Sequence, residues 1–167
     1  MADNIVTLEQ LRELFSYDLE TGLLIRRVRS ANCTQVGEVA GFVDVHGYRI
    51  IGIKGRYYKA HRLIWLHVYG VWPNKQIDHI NGIRDDNRLH NLRDVEHSIN
   101  MQNQKRAQSD NRSSGLLGAH WHNSQQAWHA RIQVNKRSKF LGAFATPEEA
   151  HAAYLEAKRR LHEGCTI

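Results

Sequence analysis

The spacing of hydrophobic positions changes several times along the chain, and each change marks an element. In residues 7–16, Leu8, Leu11, Leu14 and Phe15 recur at helical spacing, and Thr7 with Gln10 has the form of a capping box; the pattern predicts a short helix. Residues 17–22 read as a turn, 22–29 as a strand with a basic end, and 32–41 as loop with strand fragments. Residues 41–58 carry a clearer strand pattern, broken by tight turns at His46-Gly47 and Lys54-Gly55. Residues 61–69, HRLIWLHVY, return to helical spacing; Gly70 is placed to end that helix and Pro73 opposes its resumption. Next comes a short strand at 77–80, a turn at Asn81-Gly82, a second strand at 89–95 and a polar helix at 96–104, where Glu96 is a mediocre N-cap.

Residues 105–114, KRAQSDNRSS, have Ala107 as their one aliphatic position and read as a polar, basic linker. Beyond it the pattern has its own design. Strands are expected at GAHWH (118–122), WHARIQV (128–134) and KFLGAF (139–144). Thr146, Pro147 and Glu149 then stand at N-cap, N1 and N3 of a helix whose Ala150, Ala153, Tyr154, Ala157 and Leu161 form a narrow face of mostly small residues. Strand alternation turns Trp121, Trp128, Ala130 and Ile132 toward that helix, and His120, His122, His129, Arg131 and Gln133 away from it. The fold expected is α+β with two domains: residues 1–104, the linker 105–114, and a small sheet-plus-helix domain at 115–167. A second domain of that size folds independently only at the margin.

Composition narrows the functions. No apolar run approaches the ~20 residues that span a bilayer, and no basic segment followed by a hydrophobic core opens the chain. Cys33 and Cys165 are too few and too isolated for a disulfide framework or a cysteine zinc site, so a reduced, cytoplasmic setting is expected. The 23 Lys and Arg exceed the 17 Asp and Glu, for a net charge of +6, a balance that favours polyanions.

The chemistry concentrates in QIDHINGIRDDNRLHNLRDVEHSINMQN, residues 76–103. Neutral His79 has an ordinary pKa of ~6.5, suited to taking a proton from water near neutral pH. Asp78 and Asn100 offer hard oxygen ligands, which suit Mg²⁺ best, with Mn²⁺ possible and no zinc expected; two protein ligands leave positions for water and phosphate oxygens. Asn91 is placed to pin the loop that carries His79. Singly, each of these residues has an ordinary structural role, and the combination is what points to phosphodiester hydrolysis.

The string HRLIW…IDHINGIRDDNRLHNLR…SINMQN resembles the HNH endonucleases of homing and phage type, which use a ββα-metal core, here about residues 76–104. That resemblance implies Asp78 as metal-binding acid, His79 as general base, Asn91 as the middle Asn, and Asn100 as second metal ligand. The spacings from His79, twelve positions to Asn91 and twenty-one to Asn100, agree with it. It further implies double-stranded DNA as substrate and products with 5′-phosphate and 3′-hydroxyl ends. Asn stands where the third letter would be His, and His97, one helical turn earlier, is a lower-ranked substitute. His61 and Arg62 resemble a recurring HR pair; Arg62 is expected on phosphate and His61 in a structural role.

The segment GLLGAHWHNSQQAWHARIQVNKRSKFLGAFATPEEAHAAYLEAKRRLH resembles the Apetala-type (ethylene-response-factor) DNA-binding domain, which lays a three-stranded sheet into the major groove. The resemblance makes Arg131 the candidate reader of guanine and Gln133 of adenine, with His120, His122 and His129 on the same face. Lys136, Arg137, Lys139 and the linker residues Lys105, Arg106 and Arg112 are expected on phosphates. The family's outward positions are richer in Arg than these. The rival expectations are a non-catalytic, regulatory DNA-binding protein with a decayed HNH core and a structural or protein-binding module. Oligomeric state, monomer or homodimer, is left open.

Overall fold

Thr7 accepts from the Gln10 amide through its Oγ1 while the Gln10 side chain accepts from the Thr7 amide, and this reciprocal cap starts helix α1, Leu8–Leu14. It opens a computed structural model that describes residues 6–29, 34–107 and 114–167. The chain divides into two units, residues 1–96 and 97–167. Cys33 and Arg112 lie outside the described residues.

In the first unit α1 ends earlier than the hydrophobic spacing predicts. Phe15 already belongs to strand β1, Phe15–Asp18, which pairs antiparallel with β2, Leu23–Arg26, in the register Phe15↔Arg26 to Asp18↔Leu23. The pairing overrides local helical preference and makes residues 17–22 part strand, part turn. Strands β3 (Phe42–Val43), β4 (Arg49–Ile53) and β5 (Arg56–Lys59) form a meander, with Lys54 and Gly55 both at positive φ in the two-residue β4–β5 turn. Helix α2, Ala60–Tyr69, follows at once and ends where Gly70 adopts φ 77° and returns its amide to the Leu66 carbonyl. Leu11, Leu24, Ile51, Leu63 and Ile64, all fully buried, hold these pieces in one core. Each such side chain contributes roughly 1.5–3 kcal/mol.

Strand β6, Gln76–His79, and strand β7, Leu92–Val95, make a separate antiparallel pair, anchored in the same core through Ile77 and Leu92. A one-turn 3-10 segment, Leu89–Asn91, precedes β7, so the second strand starts later than expected. The polar helix α3, His97–Gln102, completes the order strand, strand, helix, and groups with the second unit.

In that second unit, β8 (Ala119–His122), β9 (Ala127–Val134) and β10 (Arg137–Phe144) form an antiparallel sheet with β9 central, and α4 (Pro147–Leu161) packs on it. Thr146 and Glu149 cap α4 reciprocally. Ala119, Ala130 and Ala150 form a small buried cluster flanked by Trp128, Leu141 and Phe144. Trp121, expected in this core, is 40% exposed: it sits on the edge strand β8, with its ring 5.3 Å from that of Trp128. A bulge between Phe140 and Gly142 shifts the β9–β10 register. Within the same unit, α4 and the C-terminal residues hold the α3 end: Lys158 Nζ donates to the Gln104 carbonyl, Gly164 N to Gln102 Oε1, and Thr166 Oγ1 to Asn103 Oδ1. Among the described residues no helix is long and apolar enough to cross a membrane.

Candidate active site

Strand β6 presents Asp78 and His79 as neighbours, 6% and 5% exposed. Successive strand residues point to opposite sides, and the two side chains find different partners. Asp78 lies across from Arg93 in the β6–β7 register, and its Oδ2 accepts from Arg93 Nε at 2.9 Å and lies 2.8 Å from Nη2. Such a charged, forked contact to a buried carboxylate is stronger than a neutral hydrogen bond.

His79 turns to the loop between the strands. Its Nε2 lies 3.0 Å from Asn87 Oδ1, and the Asn87 amide nitrogen donates to the Asp85 carbonyl at 3.2 Å. That second bond fixes which end of the Asn87 amide faces the histidine. An amide oxygen only accepts, so Nε2 of His79 carries the proton and, in the neutral ring, Nδ1 keeps the lone pair. Burial pushes the His79 pKa below its ordinary 6.5; the Asn87 bond and the charges of Asp78 and Asp86 oppose this, and Arg84 reinforces it. The ring is neutral at physiological pH, with a defined basic nitrogen.

The loop that holds Asn87 is itself held from several sides. Asn91, 3% exposed, accepts the Asn81 amide on its Oδ1 at 2.8 Å and donates its Nδ2 to the Asp86 carbonyl at 2.7 Å. Asp86 pairs with Arg88 at 2.7 Å and accepts from Asn81 Nδ2, and the Arg88 hydrogen bond chiefly lowers its pKa to about 2. Arg49 on β4 grips Asp85 with two bonds of 2.9 Å. Tyr17 on β1 donates its hydroxyl to the Asn87 carbonyl at 3.1 Å. Gly22, at φ 73°, runs so close that a Cβ there would collide with the backbone of Asn87 and Arg88. The N-terminal hairpin is thereby a buttress for the loop.

A second imidazole stands beside the first. His61 on α2 is 5% exposed, its ring centroid 5.1 Å from that of His79 at an interplanar angle of 78°. Burial, reinforced by His79, Lys59 and Arg62, lowers the His61 pKa to about 3, so this ring stays neutral. Tyr48 meets both rings, 5.6 Å from His61 and 6.1 Å from His79. Over the Tyr48 ring stand Lys59 Nζ at 4.0 Å and the Arg84 guanidinium at 5.0 Å.

The other sequence candidates are distributed as follows. Arg62 leans on the Trp72 ring at 5.8 Å and reaches the Lys75 carbonyl at 3.4 Å. Asn100 is half-buried on α3 in the second unit, beside exposed His97. Lys105 is half-buried and Arg106 exposed. On the second unit's sheet, His120, Arg131 and Gln133 are exposed, and Arg131 lies 5.8 Å from the centre of the Phe140 ring. His129 shares their face yet is 4% exposed, because His122 stacks on it at 4.2 Å and Phe140 meets it edge-on at 5.0 Å, while its Nε2 bonds Gln125 Oε1 at 2.6 Å. Lys136 lies in the Asn135-Lys136 turn, both residues at positive φ. Register puts Lys139 opposite Ile132, on the alternate face from Arg131.

Among the described residues no group of three or more His, Cys, Asp and Glu is placed to hold a metal. An oxygen-rich site built on one carboxylate is not such a group; the buried Asp78 carboxylate is a hard oxygen donor whose Oδ2 is paired with Arg93. Sequence reasoning missed Asn87, the Arg93 partner, and the proximity of His61 and Tyr48. The Asp-Asp-Asn run was visible, but which of its members turns inward depends on contacts 36 and 70 positions away.

Residues 58–102 match the family model described as HNH endonuclease, a span that contains Asp78, His79, Asn87, Asn91 and Asn100. No curated protein and no solved structure gave a significant match to the chain.

Proposed function

We propose that the chain is a metal-dependent DNA endonuclease of the HNH type in which His79 is the general base. The observation that carries this reading is the buried His79 ring, held with its Nε2 3.0 Å from Asn87 Oδ1 and pushed toward its neutral form by burial, inside the segment that matches the HNH endonuclease model. Nδ1 takes a proton from a water molecule, the water oxygen attacks phosphorus, and the P–O3′ bond breaks with its electron pair on O3′, which takes a proton from solvent water; the products carry a 5′-phosphate and a 3′-hydroxyl. Asn87 keeps the ring in the reactive tautomer, and Asn91 keeps Asn87 within reach by closing the loop. Asp78 and, by its place in the motif, Asn100 are the proposed ligands of one Mg²⁺ or Mn²⁺. Such an ion supplies neutralisation of the phosphate and stabilises the departing oxygen.

The second unit is proposed as an Apetala-type DNA-holding domain. Support comes from its three antiparallel strands backed by one helix and from the exposed Arg131 and Gln133 on the sheet face. The Asp78–Arg93 ion pair favours one rival specifically: a carboxylate permanently claimed by arginine would leave a DNA-binding protein with a decayed nuclease core. Supercoiled plasmid incubated with the protein in Mg²⁺ and in EDTA separates the two. Nicked or linear DNA in Mg²⁺ alone supports the nuclease; retention of DNA with no cutting in either supports the rival.

A further inference from the structure

The charges around His79 do not cancel, and the remainder is organised. Each carboxylate of the β6–β7 region that approaches the loop is matched to one arginine: Asp78 to Arg93, Asp85 to Arg49, and Asp86 to Arg88. Lys59 and Arg84 have no such partner. Both are exposed, and neither makes an ion pair among the described residues. Asp44 attracts Lys59 from beyond ion-pair distance, while its Oδ1 accepts from the amides of His46 and Tyr48. Arg84 is tethered by its Nη1 to the His46 carbonyl at 2.8 Å, a neutral contact.

Both cations are seated on the Tyr48 ring, at 4.0 Å and 5.0 Å from its centre, and that same ring borders His61 and His79. Two like charges held against one aromatic repel each other and gain from any anion placed before them. The aromatic seat restricts where the two flexible side chains can go, so less conformational freedom is lost when they engage a ligand.

We propose that Tyr48, Lys59 and Arg84 form a phosphate cradle that grips backbone phosphates of the nucleic acid beside the scissile bond. The inference rests on the reading of His79 as the base of a phosphodiesterase site, and it adds the groups that position the strand there. With no base-reading geometry, the cradle acts on any sequence.

The test is the salt dependence of binding by the full chain. Affinity for a short labelled duplex is measured by fluorescence anisotropy in EDTA between about 50 and 200 mM KCl, where each phosphate contact adds roughly 0.9 to the log–log slope. K59Q and R84Q are each expected to lower the slope by about one, and the double variant by about two, equally on two unrelated sequences. K59R and R84K should keep the parent slope. Parent slopes in K59Q and R84Q, or losses confined to one DNA sequence, would overturn the cradle. A reduced slope in a protein that never cuts DNA in Mg²⁺ would uphold the cradle while defeating the hydrolytic reading. Metal-dependent cutting with unchanged slopes would do the reverse.

Discussion

Replacing Asn87 by Asp tests the tautomer argument with little change in shape. In the parent protein a neutral amide oxygen receives the His79 Nε2 proton at 3.0 Å. A carboxylate there would face the imidazolium with a full charge. At an effective dielectric of about 20 and a charge separation of about 4 Å the attraction is roughly 4 kcal/mol, an upper bound. Opposite charges at such distances move a pKa by about 1–3 units. The direction is upward, so His79 stays protonated, and useless as a base, to a higher pH. The parent enzyme, with burial holding the ring below 6.5, should lose kcat/KM only in acid, below that value. In N87D the acid limb should move up by about 1–3 pH units, while the rate on the alkaline plateau is largely kept. The substitution also removes the amide that donates to the Asp85 carbonyl at 3.2 Å, a loss of about 1 kcal/mol in stability. Initial rates of cutting a labelled duplex, taken across about pH 5–9 at fixed metal, give both profiles. An acid limb that stays in place, or moves down, refutes the contact as a tuning element.

Three further outcomes follow from the packing. The His61 pKa falls from 6.5 to about 3 on folding, so the unfolded chain binds the extra proton between those values. Stability should therefore fall with decreasing pH by about 1.4 kcal/mol per unit below ~6.5, and urea titrations of parent and H61F should show the slope reduced in the variant. N91A removes the bonds to the Asn81 amide and the Asp86 carbonyl in a half-buried loop, and thermal and urea unfolding should report a loss of about 1–3 kcal/mol. G22A drives a methyl into the Asn87–Arg88 backbone; a loss above about 1 kcal/mol, accompanied by slower cutting, is expected from unfolding and cleavage assays.

The capping boxes at Thr7 and Thr146 were legible because two residues three positions apart determine each, and the structure forms both. The order strand, strand, helix across residues 76–102 was legible from hydrophobic spacing and turn chemistry. What the sequence hid depends on distant partners. Phe15 continues a helical stripe yet pairs with Arg26, because closing the β1–β2 hairpin outweighs a few tenths of a kcal/mol of local preference. His129 alternates outward with Arg131 yet is covered, because alternation assigns a face and says nothing of which neighbours lie on it. Asn87 looked like one polar loop residue among several, and only the hold of Tyr17, Gly22 and Arg49 on the loop turns it toward His79.

If His79 removes the proton from the attacking water, its loss removes most of the cutting. H79A protein, with its fold checked by circular dichroism, is to be assayed on supercoiled plasmid in Mg²⁺ with and without added imidazole. The rate should fall by about 10²–10⁴ and be partly restored by imidazole in proportion to its neutral form. Cleavage by H79A at the parent rate, without imidazole, would contradict it.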